Sequence, residues 1–163
     1  MNLTHLHLLL NHFPIIGTLI GGTILLWGII RKQIHIQQLG SLIVLVMAIL
    51  AIPVFLTGEP AEESVEHLAG ISERMIHEHE EAAEFAIWVM EAAGLLALIS
   101  FIVKWDKIHF IVLLVTVLSF VAMARTGYLG GQIRHTELNT SMSGGGSGLD
   151  PAAGSEENEK EDD

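Results

Sequence analysis

Four apolar runs, each long enough to cross a bilayer, dominate this chain and restrict its fold more than any motif does. They cover about 8–30, 38–57, 82–103 and 108–131, and each is bounded by polar or charged residues. A transmembrane helix needs about 20 mostly apolar residues. Inside lipid every backbone polar group must be satisfied within the chain, so such runs become helices. The expected fold is therefore all-α: an integral membrane four-helix up-down bundle over 1–137, with a short polar helical connection between the second and third spans. The charge is segregated from this apolar mass. Half the residues are hydrophobic, yet the net charge is −11. Much of it comes from the Gly/Ser-rich, acidic end at 138–163, which lacks the apolar content to offset chain entropy and is expected to be a disordered tail.

Several function classes drop out. Cysteine is absent, which excludes disulfides, thiolate metal sites and covalent haem attachment within this chain. The acidic balance argues against nucleic acid. The first apolar run has no Lys or Arg before it and is too long for a signal peptide, so it is expected to be retained. Arg31 and Lys32 lie in the first connection and Lys104 and Lys107 in the third, whereas the second carries Arg74 against eight Glu. Basic loops face the cytoplasm. The N-terminus, the 58–81 connection and the tail are thus expected outside, across a cytoplasmic (inner) membrane.

This topology sorts the nine histidines. His35 and His109 go to the cytoplasmic loops. His5, His7, His12, His67, His77, His79 and His135 all go to the outer rim, where an up-down bundle gathers its ends. His7 and His12 stand about 140° apart on a helix, with His12 roughly 7 Å deeper. Pro14 either marks the start of the first helix or, if the helix has already begun, frees the carbonyl near Leu10. In the second connection, Glu59, Glu63 and Glu66 or His67 fall at helical spacing, and Ser72 is a candidate N-cap for the helix that follows. "HEHEE" at 77–81 lacks the second histidine of HExxH, so it is no zincin motif. Two charges lie deep, Glu91 and Arg125. Charges in lipid usually face the bundle interior and pair, so an intramembrane Glu91–Arg125 ion pair is expected.

The two ends of the bundle resemble a known family. "LHLLLNHFPIIG" is similar to the opening of the DUF2231 membrane proteins, and "TGYLGGQIRH" resembles their Gly-Gly…His closing segment. The matching positions are His7, His12, Phe13, Pro14, Gly130, Gly131 and His135. Leu8 stands where many members have proline. "GEPAEE…EHL" and "HEEAAE" look like a subgroup feature that brings in His67 and His79. The resemblance implies a four-helix membrane protein in redox company, since some relatives are joined to cytochrome c-like or Rieske-type domains.

Three readings follow. The first is an electron-transfer subunit binding a redox cofactor at the outer rim, with b-type haem favoured by the resemblance. Non-covalent haem needs two imidazoles on different helices. His12 and His79 are the expected pair, with His7 and His135 as a shallower pair or as propionate partners alongside Arg134. Its partners would be a cytochrome or a quinol-linked complex. The second is a metal-binding or transport-associated protein, with His12, Glu63, His67, His79 and His135 holding iron, zinc or copper and the chain assembling as a homo-oligomer. The third is a structural subunit that docks a partner through its outer rim. No nucleophile triad or phosphate-binding loop occurs, so a stand-alone enzyme is not expected.

Overall fold

A computed structural model describes residues 3–63, 73–103, 105 and 107–134. Helix α1 (Leu3–Leu10) runs almost directly into α2 (His12–Ile30), and α3 (Ile34–Leu56) returns. After the short α4 (Gly58–Glu63) come α5 (Glu73–Ser100) and α6 (Ile108–Arg134). Among the described residues there is no strand. The four long elements each reach the length and hydropathy of a bilayer span. They form a square in chain order: α2 against α3, α3 against α5, α5 against α6, and α6 back against α2. The expected all-α bundle is the observed one, with span ends shifted by a few residues. Residues 64–72, including Glu66, His67 and Ser72, lie outside the described set, as does the tail.

The distribution of side chains identifies the solvent. The interior is built from small residues: Ala48, Ala51, Ala86, Ala93, Ala97 and Ala122, with Thr18, Ser41, Thr116 and Ser119. The outside carries the bulk, including Leu19, Ile49, Trp88, Leu95, Ile102 and Leu114. A water-soluble bundle has the opposite arrangement. In lipid there is no hydrophobic gain from hiding leucine, and close packing of small residues holds helices together. Gly40 shows how close that packing is: a Cβ there would lie 2.6 Å from Leu25 N. Three of these interior hydroxyls find acceptors: Thr116 donates to Val112 O at 2.7 Å, and Thr18 and Ser119 both point at Met90 Sδ, at 3.6 and 3.0 Å, while Ser41 Oγ has no partner among the described residues.

Helix ends follow from local chemistry. Residues 3–10 are already helical, so Pro14 does not start the helix. Lacking an N–H, it cannot bond to Leu10 O, and the helix is interrupted between α1 and α2 at Asn11, whose own N–H still donates to His7 O at 2.9 Å. The α2–α3 connection is a three-residue turn with Lys32 in the left-handed region at φ 51°. Gln33 N and Gln37 Nε2 both donate to Gly28 O, which satisfies the end of α2. Pro53 lies inside α3, which ends four residues later at Thr57. The Thr57 hydroxyl lies 2.9 Å from both Pro53 O and Val54 O and caps carbonyls that the helix end leaves open.

The expected Glu91–Arg125 ion pair is not made. Glu91 Oε1 is buried without a hydrogen-bond partner, Arg125 is exposed, and no ion pair among the described residues joins them. The reason is register. Equal depth for the two charges requires His79 to lie nearly level with His135, but His79 packs against Thr126 and Gly130, while Met90 meets Ser119. Position 91 is therefore level with about 118, and Arg125 sits some seven residues, ~10 Å, nearer the end that holds His79.

Candidate functional site

One end of the bundle gathers α1, the end of α3, α4, the start of α5 and the end of α6. Two half-buried histidines face this region. His7 on α1 places Nδ1 3.0 Å from Val54 O and 3.3 Å from the Thr57 hydroxyl. His79 on α5 places Nδ1 3.0 Å from Thr126 O on α6. A carbonyl only accepts, so in both rings Nδ1 carries the proton and Nε2 the lone pair of the neutral imidazole. The two rings lie within electrostatic reach of one another.

Each ring is positioned by a helix end. Val54 O is one of the carbonyls left open at the α3 terminus, so it draws a donor from another helix. Thr126 O already belongs to α6 and uses its second lone pair for His79. Glycine makes the His79 approach possible: a Cβ at Gly130 would lie 3.0 Å from His79 Cε1, whereas one at Gly58 would meet His7 Cε1 at an ordinary 3.7 Å. One turn beyond His7, Asn11 Oδ1 is buried without a hydrogen-bond partner. A buried polar atom with no partner marks an unmet need at this place.

The other expected site residues separate. His12 is exposed: once His7 turns toward Val54 and Thr57, a position about 140° round the helix must turn outward. His7, not His12, thus turns into the end of the bundle that holds His79. His77 is exposed and reaches Glu81 at 3.3 Å and Glu80 at 3.8 Å as a surface pair. Glu84, one seven-residue step along α5 from His77, is exposed as well, so this face of α5 carries no polar track into the interior. His67 and His135 lie outside the described residues, as do the side chains of Glu63 and Arg134. Among the described residues no three His, Asp or Glu side chains converge in a metal-binding group. His109 is not in a loop but buried in the first turn of α6, with Nε2 unpartnered.

The features that sequence reasoning missed are Val54 O, Thr57, Thr126 and Asn11. Thr57 had a visible signal, a hydroxyl residue followed by glycine at the end of an apolar run. The carbonyls had none. No family model, curated protein or solved structure matches the chain.

Proposed function

We infer that this multi-pass membrane protein, built on four apolar helices, binds a b-type haem between His7 and His79 at its outer end and serves as an electron-transfer subunit. The observation that carries this reading is the pair of imidazoles on different helices, each with its Nδ1–H donated to a carbonyl of a third element. That second bond locks the ring, fixes Nε2 as the donor atom and strengthens it as a ligand. The number of donors also discriminates. A low-spin electron-transfer haem takes two ligands from protein, whereas bare zinc needs at least three. The described residues offer two.

The donor set and the glycine beside His79 fit such a group. When bound, haem would supply one-electron redox chemistry. The chain's part is to hold both rings in one tautomer and to present the site at one membrane face. The resemblance to the DUF2231 family supports the redox reading. The acidic end of the chain favours a basic redox partner such as a cytochrome.

Visible spectroscopy of protein purified from haem-replete cells tests this. A Soret band and a low-spin reduced spectrum are expected. H7A and H79A should each lose bound haem, while H12A keeps it. A colourless protein overturns the reading, and so does haem that survives H7A and H79A together. Stoichiometric iron, zinc or copper without porphyrin would replace it with the metal-binding alternative.

A further inference from the structure

Exposed charges mark where the lipid stops. On α5, Glu80, Glu81 and Glu84 are exposed, and on α6 so is Arg125. From Phe85 to Phe101 on α5 and from Phe110 to Val121 on α6, every exposed side chain is uncharged, Leu95, Leu98, Leu114 and Val117 among them. Glu91 lies in this band with its Oε1 buried. A charge facing hydrocarbon is costly, so an exposed charge on a span sits at or beyond the hydrocarbon edge. The two helices agree on that edge. Met90 meets Ser119 across their antiparallel contact, and six residues further along each helix come Glu84 and Arg125, at one level.

The stretches left inside have the length of a bilayer core. Residues 85–103 separate Glu84 from Lys104, and residues 108–124 separate Lys107 from Arg125. At ~1.5 Å per residue they run about 28 and 25 Å, close to the ~30 Å of hydrocarbon. Aromatic side chains bracket the same edge. Trp88 lies one turn inside Glu84, Tyr128 lies one turn beyond Arg125, and both are exposed. His79 falls on the far side of this edge. Its Nδ1 reaches the carbonyl of Thr126, the neighbour of Arg125. Glu80 and Glu81 follow it along α5, and Glu84 comes only ~7 Å further in. Across the bundle Leu9 and Phe13 are exposed on α1 and α2, so the lipid reaches higher there. A lean of ~20°, usual for transmembrane helices, produces that difference.

We propose that the hydrocarbon ends at Glu84 and Arg125, so that the histidine site meets water on its α5–α6 side, and that its redox partner is a water-soluble electron carrier, not a quinol dissolved in the bilayer. The partner rests on the haem reading above; the placement does not. A quinol held among acyl chains meets the uncharged band of α5 and α6, and His79 lies beyond that band.

The test uses the full chain in nanodiscs. Single cysteines replace exposed residues on both sides of the edge, E81C and Y128C beyond it and L95C and V117C within. A water-soluble maleimide should label the first two roughly a hundredfold faster, because the reacting thiolate is costly to form in hydrocarbon. Equal labelling of all four overturns the placement, and the partner with it. A second measurement follows oxidation of the reduced, haem-loaded protein by two quinones with the same dimethoxy-methyl ring. One has no tail and stays in water; the other carries a decyl tail and enters the bilayer. Two ferrous haems give two electrons to one quinone, which takes two protons from water. The tail-less quinone should react faster. Oxidation by the decyl quinone that is as fast or faster overturns the water-soluble partner. A colourless protein removes the haem reading and the partner together, while the labelling still decides the placement.

Discussion

Met90 is fully buried, and its sulfur is the shared target of the Thr18 and Ser119 hydroxyls. M90L conserves volume but removes the acceptor. It is expected to lower stability by about 1 kcal/mol, the usual worth of an intramolecular hydrogen bond. Unfolding in detergent measures this, and S119A in the same background should recover part of the loss. Glu91 leads to the opposite expectation. Its Oε1 has no partner to lose, so E91Q should be at least as stable as wild type. A clear loss would expose an interaction of Glu91 with residues outside the described set. At this scale the sequence was only partly legible. It marked His7 and His79 as ligand candidates, and they do share one end of the bundle. It ranked His12 above His7 because depth can be counted from helical rise. Facing cannot, because it depends on which carbonyl of another helix the ring reaches.

Between elements, glycine positions carry different weights, and the structure separates them. At Gly40 an added Cβ meets the Leu25 backbone at 2.6 Å, and a backbone atom cannot swing aside. G40A is expected to cost about 2 kcal/mol or more through forced separation of α2 and α3. At Gly131 nothing lies within 4 Å. G131A should therefore be neutral or stabilise α6 by up to ~1 kcal/mol, since alanine favours the helix. Parallel thermal unfolding of the two variants checks both. The spans themselves were legible because an apolar run of bilayer length has few alternatives. Their relative register was not, and that is why Glu91 and Arg125 were matched in depth and found apart. Register between packed helices is set by which small residues meet, and Gly94 against Ala48 or Gly22 against Thr116 cannot be paired from one chain's spacing.

For the whole molecule, the small-inside, large-outside pattern makes the bilayer the solvent, and the basic turns predict its direction. The absence of cysteine allows a clean check. Single cysteines at Gln33 and at Glu59 should be labelled by an impermeant maleimide from opposite sides of the membrane, Gln33 from the cytoplasmic side. Labelling of both from one side would contradict the up-down bundle. The class of the molecule was the most legible level of all, because composition alone segregates the apolar core from the acidic end.

His7 lies near the start of the chain, but the groups that hold it are made much later. Val54 and Thr57 follow it by 47 and 50 residues, and the carbonyl that orients His79 follows that ring by 47 more. During synthesis the first helix therefore enters the bilayer with its imidazole unanchored. The second span anchors that ring, but the facing one waits for the fourth. A group held by the proposed histidine pair would therefore load after the last helix is in place, in a step separate from membrane insertion.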